Sequence, residues 1–283
     1  QVLRRRYQAP LGADWTLGAP GNTGAALEAA VAVGAATDLL EECWWSPGFL
    51  APDGTAGFHL SERGLPGGII VNAAGVRFAD ESLPYDQLGR AMVQAHASSG
   101  VSHVPCWFVT DQAFIDRYGL AGIRRGTTEP DPAWFDAGIL ERAGTVAELA
   151  VAIGVPDDAL VATVTEWNAS CASGTDSAFG RGENAYDRFF GDASRGSNPN
   201  MGPIEAGPYY ALQVVPADLG TKGGLRCDPH ARVLRKDGEA IPGLYAAGNT
   251  MAAWSRHAYP GPGTPIGSCL AFAYLAVTDI LRQ

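Results

Sequence analysis

Residues 241–272, IPGLYAAGNTMAAWSRHAYPGPGTPIGSCLAF, constrain the fold more than any other stretch of the chain. A buried strand from Leu244 to Ala247 runs into Gly248. A connection follows, then a proline–glycine turn at 259–263, then an almost uniformly apolar helix from Pro265 to about Leu281. Thr264 stands where it can cap that helix. Pro265 suits the first turn because it has no N–H to leave unsatisfied. Gly267 and Ser268 keep that turn small, so a flat ligand can approach the backbone. A helix start carries roughly +0.5 charge, which favours a negative ring edge. A core helix capped in the ordinary way satisfies the same pattern.

The chain has 283 residues and is 46% hydrophobic, enough for one large domain or two smaller ones. Its formal charge of −10 argues against nucleic acid, which rewards a basic surface through counterion release. Arg4-Arg5-Arg6 is the one basic run and reads as an exposed helix or strand end, with a small anion patch as the alternative. With 36 Gly and 19 Pro, the composition suits many tight turns and close backbone approaches rather than a helical bundle. Five cysteines, at 43, 106, 171, 227 and 269, form no CxxC pair, so neither a disulfide framework nor a zinc site is expected. Free thiols in a reducing compartment, the cytoplasm, are the expectation. No apolar run reaches membrane-spanning length and no signal peptide is recognisable. The first residue is Gln1 rather than Met, which hints at truncation.

Along the chain, Thr23 to about Leu40 predicts an Ala-rich helix capped by Asn22 or Thr23. It should end at Trp44-Trp45, with Ser46-Pro47-Gly48 as a breaker. Gly68 to Asn72 predicts a strand, and a turn at Ala74-Gly75 leads it back through Val76-Arg77-Phe78 as a hairpin. Residues 101–110 predict another strand. Thr145 and Glu148 have capping-box spacing, Gly154 ends that helix, and Pro156 opens the next, to about Ala172. Residues 174–208 are polar and read as a long ordered loop over a site, or as a linker. Tyr209 to Val215 predicts a strand, and Gly224 to Leu234 a strand–turn–strand.

The segments GLYAAGN and YPGPG, followed by the apolar helix, resemble the C-terminus of the FAD-dependent 3-ketosteroid Δ1-dehydrogenases and their close flavoprotein relatives, within the wider fumarate reductase/succinate dehydrogenase flavoprotein superfamily. LGTKGGL at 219–225, GGIIVNAAGVRFADESLPY at 67–85, DWTLGAPGNTG at 14–24 and the pair Trp44-Trp45 resemble further segments of that family in the same order. The resemblance covers nearly the whole chain. It implies an α+β fold, in which residues 1–45 and 219–283 are parts of a discontinuous FAD-binding domain and residues 46–218 an inserted substrate-binding, catalytic domain. Family members open with a G-x-G-x-x-G turn that holds the FAD pyrophosphate. None occurs here. The expectation is a C-terminal portion whose partner is a missing N-terminal FAD-binding half, and which by itself binds FAD weakly or not at all.

The resemblance also implies roles. Tyr259 matches the tyrosine that donates to the 3-keto oxygen of the steroid, and Gly263 matches the backbone N–H at the same oxygen; read without the resemblance, Tyr259 is a satisfied turn tyrosine. Tyr85 matches the proposed base. A free tyrosine has a pKa of about 10, so that role needs help from its surroundings. Gly248 and Asn249 match contacts to the FAD ribityl–phosphate region. Thr264, Pro265, Ile266 and Gly267 match the helix start at the flavin edge, and Asn22, Thr23 and Gly24 a loop along the cofactor. Ala25-Ala26 departs from the Asp-Gly common in relatives there. Many related flavoproteins carry Glu where Asn249 stands. Fumarate reductases carry a catalytic His where Gly220 stands and a catalytic Arg in place of YPGPG, so a dicarboxylate, which needs such cations, is not expected. Arg256-His257 read as a surface turn, with contact to substrate as the alternative. Trp44, Trp45, Trp107 and Trp254 suit either an apolar steroid pocket or core packing. The four other histidines show no metal spacing.

The implied reaction is dehydrogenation of a 3-ketosteroid or similar small apolar cyclic ketone with FAD as acceptor. A related flavoprotein desaturating another ring position or ketone, and an inactive fragment or subunit that needs a partner, stand beside it.

Overall fold

The computed structural model describes residues 2–8, 12 and 15–282. The chain forms two compact units, Gln1–Trp44 with Asp218–Gln283, and Trp45–Ala217.

The first unit opens with α1 (Val2–Tyr7), α2 (Ala25–Ala32) and β1 (Thr37–Asp38). The helix expected over 23–40 is therefore only eight residues long, and neither Asn22 nor Thr23 caps it. Gly24, at φ 84°, is the N-cap, and no side chain bonds the helix start. Alanine-rich spacing gives no stop signal, whereas Gly34 at φ 94° turns the chain out of the helix. Arg4 is not a loose end: it pairs with the buried carboxylate of Asp218 at 2.6 Å.

β2 (Cys43–Leu50) carries the chain into the second unit. It holds Trp44-Trp45, expected at a helix end, and runs straight through Ser46-Pro47-Gly48, expected as the breaker after that helix; Pro47 lacks a donor, but its carbonyl still accepts from the His59 N–H at 3.1 Å. Then follow β3 (Ala56–Phe58), β4 (Gly68–Val71), α3 (Tyr85–Ser98), β5 (Cys106–Asp111), α4 (Gln112–Tyr118), α5 (Ala133–Asp136), β6 (Leu140–Ala143), α6 (Val146–Ile153), α7 (Asp157–Ser173), α8 (Ala185–Phe189) and β7 (Tyr209–Thr221). The sheet order is β3-β2-β7-β5-β4, with β6 also on β7. The expected hairpin after β4 reduces to one bridge, Val71 to Arg77.

Side chains alternate across this sheet. Ile70, Phe108 and Leu212 pack to one face with Leu88 and Met92 of α3 and Phe114 and Ile115 of α4. Ile69, Val71, Val109 and Ala211 pack to the other, against Leu149 of α6 and Leu160, Val164 and Trp167 of α7. Both faces are thus buried. α6 starts in the expected capping box of Thr145 and Glu148 and ends at Gly154 in the left-handed conformation. Residues 174–208 contain α8 and a short 3-10 turn, and are ordered by buried polar bonds. Arg181 donates to the carbonyls of Gly68, Arg63 and Leu65 and to Glu81, while Asn200 donates to those of Gly64 and Asp187.

Back in the first unit come β8 (Gly224–Leu225), β9 (Arg232–Leu234), β10 (Ala240–Tyr245) and α9 (Thr264–Ile280). The segment read as strand–turn–strand holds two strands with different partners, β8 on β1 and β9 on β10. Ala30, Ala35, Leu225, Val233, Ile241, Ala246 and Met251 make this unit's core. Among the described residues, no helix is long and apolar enough to cross a membrane, and no group of three His, Cys, Asp or Glu side chains could hold a metal.

Candidate active site

In the first unit, β10 ends at Tyr245 and the chain turns at Gly248, whose φ is 64°. Gly248 and Asn249 lie in a short 3-10 turn. The Asn249 side chain is held from two sides. Its Oδ1 accepts from Trp44 Nε1 at 3.3 Å, and its Nδ2 sits so close to Gly220 that a Cβ there would fall 2.4 Å away. A larger residue at 220, histidine included, cannot coexist with Asn249 as placed. The Asn249 carbonyl accepts from Thr221 Oγ1 at 3.3 Å. A cleft runs past these residues, lined by Trp44, Thr221, Asn249, Trp254, Pro265 and Phe272.

The turn that follows carries Tyr259. Its ring packs tilted on Trp44, centroids 5.6 Å apart. Arg256 and His257 lie in an exposed turn, as expected, and each is paired there: Arg256 Nη1 reaches Asp38 Oδ2 and His257 Nδ1 reaches Glu42 Oε1, each at 2.9 Å. Gly263, at φ 89°, is the N-cap of α9. Thr264 is inside the first turn and not its cap; its Oγ1 donates back to the Gly261 carbonyl at 2.7 Å. The glycine takes the cap because the backbone there is left-handed, which threonine resists. No side chain caps α9. Ile266 and Gly267 are exposed, and a Cβ built on Gly261, Gly263 or Gly267 would meet nothing within 4 Å. This is a helix start with its positive end and its small residues turned to open space. Along α9, Ile266, Leu270, Tyr274 and Val277 form an exposed apolar stripe.

Gly24 repeats the arrangement at the start of α2: left-handed, with no side-chain cap, beside the exposed Asn22 and Thr23. Of the 14–24 segment, Asp14 and the neighbouring Ala13 lie outside the described residues.

Tyr85 belongs to the second unit. It is the first residue of α3, buried, with its ring edge-on to Phe58 at 5.6 Å. Trp45 is also in the second unit and buried, Trp107 is partly buried there, and Trp254 is exposed in the first.

Sequence reasoning missed two groups here. Lys222 is completely buried beneath Trp44 and Tyr259, with its Nζ 4.9 Å and 6.0 Å from the two ring centroids. Glu42 holds the turn through His257. The available signal for the first was a lone lysine inside LGTKGGL, where a solvated cation would be out of place.

The family model described as FAD binding domain matches residues 2–266. The chain is 46% identical over 287 residues to the 3-oxosteroid 1-dehydrogenase of Mycobacterium tuberculosis strain H37Rv, covering 100% of this chain and 51% of that protein. It is 40% identical over 271 residues to the 4-oxocyclohexanecarboxylate 2-dehydrogenase of Sinomonas cyclohexanicum, covering 93% of this chain and 46% of that protein. The crystal structure of 3-ketosteroid delta1-dehydrogenase from Sterolibacterium denitrificans in complex with 1,4-androstadiene-3,17-dione superposes with a TM-score of 0.94 at 38% identity, over 99% of this chain and 50% of that one. The chain thus spans about half the length of these relatives.

Proposed function

Because the chain belongs to the FAD binding domain family, we propose that it forms part of an FAD-dependent dehydrogenase acting on a 3-ketosteroid or similar cyclic ketone. The observation that carries this reading is the bare start of α9, with Gly263 in the left-handed cap position and Tyr259 four residues before it, resting on Trp44. The residues fit the cofactor. Open space at Gly261, Gly263 and Gly267 accepts a flat ring system, and the uncapped helix end supplies partial positive charge to its edge. Asn249 and Gly248 would hold the ribityl–phosphate region, and the Gly24 turn, with Asn22 and Thr23, would lie along it. When bound, FAD accepts the hydride from the carbon next to the one that loses its proton.

The chain's own groups would do the rest. The Tyr259 hydroxyl and the Gly263 N–H would donate to the ketone oxygen and stabilise the charge that gathers there as the neighbouring C–H is deprotonated. Tyr85 would take that proton. We read the first unit as the FAD-binding part and the second as the substrate part. Gly220 beside Asn249 supports a ketone rather than a dicarboxylate, since it leaves no room for a histidine. The 46% identity to a 3-oxosteroid 1-dehydrogenase supports a steroid, and the 40% identity to a 4-oxocyclohexanecarboxylate 2-dehydrogenase favours a smaller cyclic ketone as the second reading. The five free cysteines support a reducing, cytoplasmic setting.

We read the pyrophosphate-binding turn as lying in the part of the relatives' length that this chain does not span. The exposed stripe on α9 and the lack of a G-x-G-x-x-G turn support that. The test is to purify this chain alone and together with a pyrophosphate-binding half. Flavin absorbance should co-elute only with the pair. The pair should then reduce a dye acceptor anaerobically with 1,2-saturated 3-ketosteroids. Stoichiometric flavin on this chain alone would overturn the need for the other half. A flavin-loaded pair that turns over simple cyclohexanones and no steroid would favour the second reading.

A further inference from the structure

Lys222 is 0% exposed, yet it carries an ammonium in the middle of the tyrosine turn. Burying such a group is costly unless partners replace its water. Here the replacement comes partly from the turn itself. Nζ donates to the carbonyl of Ala258 at 3.2 Å and to that of His257 at 3.5 Å, the two residues directly before Tyr259. The cation also lies under the faces of Trp44 and Tyr259, whose rings touch each other. The lysine is itself anchored: its N–H donates to the Glu42 carbonyl at 2.9 Å, and its carbonyl accepts from Ala253 N at 2.8 Å.

The backbone before Tyr259 is held by turn bonds, Arg256 N–H to the Ala253 carbonyl at 3.0 Å and Ala258 N–H to the Ser255 carbonyl at 2.9 Å, and not by a regular element. Gly261 and Gly263 follow at φ 147° and 89°, positions where glycine moves freely, and no helix or strand holds residues 252–263.

We infer that Lys222 is a positioning residue, whose ammonium, bonded to the two carbonyls before Tyr259 and seated under its ring, fixes where the phenol points. The placement stands on geometry; its catalytic consequence rests on the reading of Tyr259 as donor to the ketone oxygen.

The test has two arms. In the first, the chain is labelled with 3-fluorotyrosine, and its nine tyrosines are followed by fluorine NMR. The Tyr259 resonance is the one lost in Tyr259→Phe. Lys222→Met should move and broaden that resonance and leave the Tyr85 and Tyr118 resonances in place. Lys222→Arg keeps the charge but replaces the ammonium with a flat guanidinium, and should move it less. An unmoved Tyr259 resonance in Lys222→Met overturns the proposal. If Lys222→Met does not fold, an unmoved resonance in Lys222→Arg does so.

In the second arm, the flavin-loaded pair is assayed. Lys222→Met should lower kcat about tenfold with little change in KM, because a misplaced donor is lost chiefly in the transition state. Lys222→Met with Tyr259→Phe should be no slower than Tyr259→Phe alone. Multiplicative losses would overturn the catalytic half of the inference. A Tyr259→Phe variant with full turnover would remove the donor reading, while the NMR arm still decides the positioning.

Discussion

Arg181 donates to Glu81 across 3.0 Å with both side chains sealed from solvent, and Trp167 lies flat beneath both the Arg181 and the Arg77 guanidinium. Removing Arg181 leaves the buried Glu81 with Arg77 alone and strips the donor from the carbonyls of Gly68, Arg63 and Leu65, a loss on the scale of breaking a buried pair, about 3–5 kcal/mol. Arg181→Met should therefore lower the unfolding free energy by about that much in a urea titration at pH 7. The double variant Arg181→Met with Glu81→Leu should recover part of the loss. Equal losses in the single and double variants would mean that the pair is not coupled.

The same network makes the chain acid-labile. Burial alone would raise the Glu81 carboxyl, but the Arg77 and Arg181 guanidiniums outweigh it and hold it below the ordinary range. Asp176 behaves alike: burial pushes up, and the bonds from Arg77 pull it lower. A carboxyl depressed in the folded state stabilises above its unfolded pKa of about 4, and that stability drains away as pH falls through the folded value. The melting temperature should drop steeply below about pH 4, and Arg77→Met should flatten that drop.

Asp80 works in the opposite sense. Burial first, opposed by the Ser82 N–H and helped by the Asp187 charge, pushes its carboxyl up to about 7. The folded chain then binds a proton that the unfolded chain releases near pH 4, so this group's contribution falls as pH rises from there to about 7. Asp80→Asn keeps the acceptor for Ser82 and removes the titration. Its melting temperature should gain on the parent between pH 5 and 8. Parallel curves across that range would show that Asp80 is ionised throughout.

Glycines 224 and 267 should part company. A Cβ at Gly224 would fall 2.4 Å from the Thr250 carbonyl oxygen and 2.7 Å from the Met251 carbonyl carbon, both backbone atoms that cannot step aside. Gly224→Ala should lower the melting temperature sharply. Gly267 is inside α9 with open space at its Cβ, so Gly267→Ala should hold or gain stability, by at most about 1 kcal/mol. In the flavin-loaded pair the same alanine should weaken FAD, because it fills the space the ring would use. Unchanged flavin affinity would move the ring away from this helix start.

On the proposed reading of Tyr85 as the base, Tyr85→Phe in the flavin-loaded pair should cut turnover far more than substrate affinity, since a base acts in the reaction and not in binding. Equal turnover would remove Tyr85 from the mechanism. Its ring packing on Phe58 survives the change, so a folding defect is not expected.

Much of the fold was legible where the signal is local. Thr145 with Glu148, Gly154 with Pro156, and the apolar run of α9 each announce a helix boundary within a few residues, and the structure has them there. The end of α2 was not legible, because small residues continue past Ala32 and only Gly34 decides. Pro47 misled because a proline tolerates a strand wherever its missing donor is not needed. Thr264 misled because the left-handed backbone at 263 hands the cap to glycine. The buried charges were invisible for another reason: Arg77, Glu81, Asp176 and Arg181 come from two segments about a hundred residues apart, and nothing in either shows that the other completes it. Glu42 is of the same kind, whereas Lys222 stood out only as a lone cation inside LGTKGGL. The site residues matched by motif all lie in turns or at helix starts, where glycine and proline mark the backbone; the residues that brace them from below carry no such mark.

β2 and β7, the strands by which the chain enters and leaves residues 45–217, are hydrogen-bonded neighbours. The excursion therefore ends beside where it began, and both of its ends are sewn into one sheet. Such a segment is a cassette: residues 45–217 can be exchanged as one piece without stretching the chain on either side of them.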